Sequence, residues 1–599
     1  MSGTAAAPHA ARLAAVRAVL AREGLDGLLV PRADEHLGEY VPPSAERLAW
    51  LTGFTGSAGL AVVLGDRAAV FTDGRYTLQL AEQASPALFE RRHSQDEPPP
   101  AWLAAAAPGG RIGYSPWLHS EDSLRAYAEA GVQLVPLAAN PVDEAWRDRP
   151  APPLAAAVPH PLEYAGRDAA EKRDEVAAAL RRAGQDAAVL TDPASLAWLL
   201  NIRGGDVPYT PLALGFALVH AAPIHAGGAR VVLFMDAAKL GPETLAWLGD
   251  GVEVRDPAEL PAALALLGGK RVRVDPAGSP AWFAQALRAA GAEVVPGSDP
   301  VLLPKAAKNP VEQGGARCAH GRDAAALCRF LAWLEGAAAR GETEISAAEH
   351  LLALRAGHDL FRGESFPAIS GAGEHGAVIH YRATPESDRP IRPDEVYLID
   401  SGAQYPDGTT DVTRTVWTGP SAPPPLLRER FTRVLQGHVA LATLRFPEGV
   451  AGPHLEAFAR RPLWQAGLDY DHGTGHGVGS YLSVHEGPAS LSRAGRPVPL
   501  ASGMILSDEP GYYEPGAYGI RLENLLLVRR AEGLGARKPF LEFETLTLAP
   551  FDRRLIEPGL LTAEERAWVD GYHARVLAEV GPGLGGEALT WLEGACSPL

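Results

Sequence analysis

The stretch YDHGTGHGVG (470–479) places His472 and His476 four residues apart. On a helix that spacing sets two metal-binding imidazoles on one face. Gly473, Gly475, Gly477 and Gly479 oppose a helix, each costing about 1 kcal/mol relative to alanine. An extended or turning backbone is therefore expected, and positions four apart share a face of a strand as well. The spacing leaves open whether one or both histidines are ligands. His485 follows in SVHEGP, and His380 ends the strand-like GAVIHY. One such histidine is ordinarily a hydrogen-bonded structural residue, whereas four beside clustered acids mark a site.

The acids lie in two hairpin patterns. In EVYLIDSGAQYPDGTTDVTRTVW (395–417) an apolar run meets a YPDG turn and then a β-rich run. With the turn centred between Tyr405 and Pro406, Asp400 falls opposite Asp411, where paired Cα atoms lie ~4.5–5.5 Å apart. MILSDEPGYYEPGAYGIRLENLLLV (504–528) repeats the logic, with Glu509 and Glu523 symmetric about Gly516. A single acid on such a strand ordinarily faces solvent or pairs with an arginine, and Arg414 and Arg521 are nearby in sequence. Four carboxylates converging from two hairpins cannot all stay ionised without a cation. Oxygen-rich ligation with one imidazole suits Mn²⁺, Co²⁺ or Fe²⁺ better than a thiolate-type zinc site. Four carboxylates can hold two ions ~3.5–4 Å apart.

The elements that position these residues are α/β in character. In the N-terminal half, VRAVLAREGLDGLLV (16–30) resembles VAAALRRAGQDAAVL (176–190), and LAWLTGFTGS (48–57) resembles LAWLLNIRGG (196–205). Both members of the first pair read as an amphipathic helix, a Gly stop and an apolar strand. Residues 1–146 and 165–305 are expected to be two copies of one α/β domain, joined by a Pro/Ala-rich linker (147–164). A third domain, 306–548, opens on a long helix and turns to strands and Gly-rich turns. A helical extension, 549–599, packs on it.

Net charge is −17, from 55 basic and 72 acidic residues. That balance argues against nucleic-acid binding, which needs clustered Lys and Arg. Three cysteines without CxxC spacing fit a reducing cytoplasm and no disulfide framework. Arg12, Arg17, Arg22 and Glu23 interrupt the N-terminal stretch, which reads as an amphipathic helix and not a signal peptide. No apolar run reaches the ~18–20 residues that cross a bilayer.

These motifs resemble the pita-bread-fold metallopeptidases, and within them the long, three-domain cytosolic aminopeptidase P (Xaa-Pro aminopeptidase) family. The resemblance rests on EYVPPSAERLAWLTGFTGSAG, VFTDGRYTLQ, WLLNIRGGDV, FPAISGAGEHGAVIHY, YLIDSGAQYPDGTTDVTRT, HGTGHGVGSYLSVHEGP, DEPGYYEPGAYGIRLEN and ALTWL, and spans nearly the whole chain. It implies two creatinase-like N-terminal domains followed by a pita-bread catalytic domain. It implies a metal set of Asp400, Asp411, His476, Glu509 and Glu523 holding two divalent ions, with Mn²⁺ expected before Co²⁺, Fe²⁺ or Zn²⁺. Asp411 and Glu523 would bridge. Glu509, His380 and His485 would act in catalysis. His380, His472, His485, Tyr513, Arg521 and, from the first domain, Arg75 would line the substrate site. His472 would then border substrate while His476 alone is a ligand. The implied reaction frees an N-terminal residue from a penultimate proline, in a cytoplasmic homodimer. Glu374 and His375 depart from the family pattern, and His375 is read as non-catalytic. Rival readings are a prolidase-type Xaa-Pro dipeptidase, a creatinase-like hydrolase and a non-catalytic pita-bread interaction module. The length near 600 and the intact set of five ligands argue against them.

Overall fold

A glycine ends the helix that opens each N-terminal repeat. The computed structural model describes residues 6–224, 228–533, 535 and 537–599. The first five residues of the stretch read as an N-terminal helix lie outside them. Helix Ala6–Glu23 stops at Gly24 (φ +63°), a conformation that disfavours any Cβ, and the buried strand Gly27–Pro31 follows. In the second repeat the Asp168 side chain accepts from the Ala170 N–H and caps helix Ala169–Arg182. Gly184 (φ +64°) ends that helix, and strand Ala187–Leu190 is buried throughout.

Each repeat builds a six-stranded mixed sheet. Counting strands within each repeat, both sheets run in the order 4-3-2-1-5-6. The count leaves aside Ile202–Arg203, which pairs instead with Val158–Pro159. Two stretches of different sequence thus reach the same topology, as a duplication requires.

Contacts divide the chain into two units, Met1–Pro161 with Arg167–Leu302 and Leu162–Gly166 with Leu303–Leu599. The division cuts inside the Pro/Ala-rich stretch. Short helix Leu162–Ala165 belongs to the second unit, where Asn309 Nδ2 donates to the Ala165 carbonyl (2.8 Å).

In the second unit a capping box of Asn309 and Glu312 starts the 25-residue helix Pro310–Leu334. Strands Ile369–Ala372, Val396–Ser401 and Val412–Trp417 form an antiparallel sheet in that order. A six-stranded sheet orders Arg445–Pro447, Phe540–Thr545, Asn524–Arg530, Ile505–Asp508, Gly475–Gly477 and Glu486–Leu491. The two sheets join where the Glu523 N–H donates to the Thr413 carbonyl (3.2 Å). Phe431, Val434 and Leu435 of helix Pro425–Ala442 share one core with Val569, Tyr572 and Val576 of helix Ala563–Val580. Each such buried side chain contributes roughly 1.5–3 kcal/mol. Leu592 and Cys596 join the same core, so the chain's tail is packed down. Among the described residues no helix is long and apolar enough to cross a membrane.

The first hairpin departs from the symmetric expectation. Tyr405 pairs with Gly408, so the turn centres between Pro406 and Asp407, one residue later. Asp400 therefore lies opposite Thr413 and not opposite Asp411. Asp411 precedes Thr413 by two residues, so both acids still project on one face. The second hairpin keeps its expected symmetry. Asp508 pairs with Asn524 and Gly511 with Arg521, both centred on Gly516 (φ +72°), which sets Glu509 across from Glu523.

Candidate metal centre

His476 sits on the strand Gly475–Gly477, where the chain runs hard against its neighbour. A Cβ at Gly475 would lie 2.0 Å from the Ser507 carbonyl oxygen, so only glycine permits the approach. The His476 N–H donates to Ser507 Oγ (2.9 Å), and that hydroxyl donates to Glu509 Oε1 (3.1 Å). His476 Nδ1 lies 2.9 Å from the Gly477 carbonyl, which can only accept, so Nδ1 carries a proton. Nε2 is thereby turned to the acids, 3.4 Å from Asp411 Oδ2 and 3.5 Å from Glu509 Oε1. Ligand atoms of Asp411, His476 and Glu523 all lie within 4.8 Å of one another. Glu523 Oε2 accepts from the Thr413 hydroxyl (2.8 Å).

Asp400 completes the acidic group. Arg521 Nη2 donates to its Oδ2 (2.7 Å), while its buried Oδ1 has no hydrogen-bond partner. Arg521 Nη1 also donates to the Tyr513 hydroxyl (2.8 Å), and that hydroxyl lies 2.8 Å from His472 Nε2. His472 Nδ1 faces the Gly473 carbonyl (2.8 Å), so Nε2 accepts from Tyr513. A chain of polar contacts thus runs from Asp400 through Arg521 and Tyr513 to His472.

Two of the four histidines occupy different local structure from that expected. His472 lies in a bend ahead of the strand that carries His476, so the two do not share a strand face. Buried Arg460, paired with Glu456 (2.7 Å), donates to the Tyr470 and His472 carbonyls and pulls this segment out of the sheet. His380 follows the 3-10 helix Gly373–Ala377 in a turn and does not end a strand, because Gly373 (φ +54°) breaks the extended chain. His485 directly precedes strand Glu486–Leu491, its ring 4.2 Å from that of His476 and perpendicular to it. Arg75 belongs to the first unit and is paired there with Asp73 (2.7 Å).

The electrostatics are those of anions crowded out of water. Burial, opposed by Arg521 and reinforced by Asp411, pushes Asp400 up to about 7. Burial and then Asp411 hold Glu523 well above the usual carboxylate range. Glu509 is raised by burial and by Asp411. Burial opposes a charge on His476, yet Asp411 and Glu509 outweigh it and bring the imidazole up to about 9. The protein's own groups leave this pocket short of positive charge. The donor set of four carboxylates and one imidazole, with Asp400 Oδ1 unpartnered, fits divalent cations.

Sequence reasoning missed the layer behind this site. Asp508, His438 and Asn524 are fully buried, with His438 Nδ1 3.1 Å from Asp508 Oδ2 and Nε2 2.9 Å from Asn524 Nδ2. Arg414 is also buried and, among the described residues, pairs with no acid. It donates to the carbonyls of Thr413 (2.8 Å), Glu523 (2.7 Å) and Ala549 (2.7 Å) and to Asn524 Oδ1 (2.8 Å). The signal available in sequence was small: Asp508 directly before Glu509 and Asn524 directly after Glu523, polar residues at the ends of otherwise apolar strands.

Comparison with known proteins identifies the family. Metallopeptidase family M24 matches residues 314–530, and the C-terminal region of that family matches 539–599. Creatinase/prolidase N-terminal domains match 12–144 and 148–312. The chain is 38% identical to aminopeptidase P1 of Arabidopsis thaliana, over 98% of this chain and 99% of that one. It is 40% identical to a probable Xaa-Pro aminopeptidase P of Aspergillus fumigatus, over 94% and 88%. The crystal structure of an X-prolyl aminopeptidase from Caenorhabditis elegans, described as a cytosolic enzyme with a di-nuclear active site, superposes with a TM-score of 0.93 at 34% identity, covering 99% of this chain and all of that one. With two creatinase-type domains leading into a pita-bread domain, the chain belongs to the aminopeptidase P family of metallopeptidases.

Proposed function

We propose that the protein is a metalloaminopeptidase that hydrolyses the bond between an N-terminal residue and a penultimate proline. The observation that carries this reading is the convergence of Asp411, His476 and Glu523 within 4.8 Å, flanked by Asp400 and Glu509, in a chain aligned end to end with aminopeptidase P relatives. Asp400, Asp411, His476, Glu509 and Glu523 would hold two divalent ions. Mn²⁺ is the proposed metal, on the oxygen-rich character of the donors. When bound, the ions supply Lewis acidity and a water acidified towards neutral pH.

The side chains divide the remaining work. Glu509, raised above the usual carboxylate range by burial, takes up and passes on a proton at its carboxylate. His380 donates to the oxygen on which charge develops. His485, stacked edge-on to His476, hydrogen-bonds the carbonyl beyond proline. His472, Tyr513 and Arg521 form one polar edge of the substrate site. The bond before proline carries no N–H, so selection rests on a pocket shaped for the ring. The partners are peptides with proline second, and the assembly is a cytoplasmic homodimer.

The test is hydrolysis of an Arg-Pro-Pro-type tripeptide with Mn²⁺, beside an Xaa-Pro dipeptide. Wild type should release the first residue of the tripeptide. Asp411→Ala should lose more than the 10–100-fold typical of outer-shell changes. Full turnover in that variant refutes the metal assignment, and cleavage of the dipeptide alone makes the enzyme a dipeptidase.

A further inference from the structure

Glu486 follows His485 directly, and its carboxylate lies in a fully enclosed place. Lys305 Nζ sits 3.1 Å from one carboxylate oxygen and Lys308 Nζ 2.5 Å from the other. All three side chains are 3% exposed or less. Breaking such a buried pair leaves an uncompensated charge, whereas replacing it whole with apolar residues often costs nothing. Stability alone therefore does not account for two lysines on one glutamate. What the trio has and an apolar trio lacks is direction. With each oxygen held by a different ammonium, the carboxylate is fixed in orientation.

Both ends of this clamp are anchored. The Lys308 N–H donates to the Gly503 carbonyl (2.9 Å), and its own carbonyl accepts from Gln313 Nε2 (2.7 Å). On the other side Glu486 pairs with Gly477, one residue past His476. A Cβ at Gly477 would lie 2.1 Å from the Glu486 carbonyl oxygen, so the two strands are as close as backbones allow. His485 is fixed from its C-terminal side by a residue that has no freedom to shift.

We infer that Lys305 and Lys308, at the start of the second unit, are positioning residues for His485, acting through Glu486. The inference rests on the substrate role given to His485 above. Both lysines bond the Glu486 carboxylate. They hold the backbone from which His485 reaches the substrate, so losing one loosens His485 and leaves the metal ligands in place.

The test is a double-mutant cycle of Lys308→Met with His485→Ala, supported by hydrogen exchange of the full chain. Lys308→Met leaves a neutral Lys305–Glu486 pair. Should it fail to fold, the charge-conserving Glu486→Asp replaces it. The single variant should lower tripeptide kcat/KM by about 10-fold, and by less than about twofold when His485 is already alanine. Mn²⁺ affinity by calorimetry should not change, and exchange should rise in residues 482–491. An equal effect in both backgrounds, or unchanged exchange in that segment, overturns the inference. A wild type that does not cleave the tripeptide refutes the proposed activity instead, and the exchange arm still decides the clamp.

Discussion

The strands that carry the site have two buried faces with opposite charge problems. The front collects Asp400, Asp411, Glu509 and Glu523, with Arg521 as the guanidinium bonded to one of them. The back holds Arg414, whose hydrogen-bond acceptors are all uncharged. Arg414 itself is satisfied: it is surrounded by fixed carbonyl dipoles and the Tyr572 hydroxyl (3.1 Å), while Asp508 in the same layer is a single buried carboxyl without hydrogen-bond partners. The front is not, since carboxylates there are driven up by burial and by one another. Equal burial therefore has different meanings. A buried guanidinium with its hydrogen bonds complete is structural, and several carboxylates crowded together without enough donors mark the place where an ion belongs.

The comparison breaks most readily at Arg414. Its guanidinium clips the Thr413 and Glu523 carbonyls together, which is where the two sheets join. Arg414→Met strands several buried acceptors, each costing ~1–3 kcal/mol. Stability should fall by about 4 kcal/mol or more, read as a lower denaturant midpoint. A midpoint near that of wild type would mean that the back face is not what fixes the strands.

On the front the same change of charge should act in reverse. Glu523→Gln keeps an acceptor for the Thr413 hydroxyl and removes a carboxylate that burial holds well above its ordinary range. The metal-free variant should be at least as stable as wild type. Its kcat/KM should drop by about 100-fold or more. Saturating Mn²⁺ should raise the melting temperature of wild type, since a ligand at 100 times its Kd adds ~2.7 kcal/mol. That rise should shrink in the variant. A variant that melts well below wild type without metal would show the front face to be structural as well.

The two faces were also unequally legible in sequence. The front acids stood out because hairpin symmetry paired them, and Glu509 and Glu523 keep that symmetry. Asp400 and Asp411 shifted because Pro406 and Asp407 centre their turn one residue later than the spacing implied, although the shared face survived. The repeat was readable because helix, Gly stop and strand recur locally. His380 and His472 were misplaced for a different reason. A positive-φ glycine and a distant arginine, Arg460, set their backbones, and neither leaves a periodic trace. The back layer was read least well because Asp508, His438 and Asn524 meet only when three separate segments pack.

His438 offers the finest test of that back layer. Burial first, and then the charge of Arg414, pull it down to about 3, so it is neutral in the folded protein at ordinary pH. It contacts Asp508 and Asn524, and the rings of Phe551 and Trp568 close the remaining sides. In the unfolded chain the same imidazole titrates near ~6.5. Between those values the unfolded state binds a proton that the folded state refuses, so stability rises with pH and is lost on acidification below ~6.5. The slope from this one residue is at most about 1.4 kcal/mol per pH unit. His438→Gln keeps an amide for Asn524 and for the Asp508 carbonyl but cannot be protonated. Between pH 7 and pH 5 wild type should lose about 2 kcal/mol more than the variant, read from denaturant midpoints at the two values. Parallel losses would mean that His438 is already accessible to protons in the folded state. The back face would then share the front's incomplete character, and the contrast between them would fail.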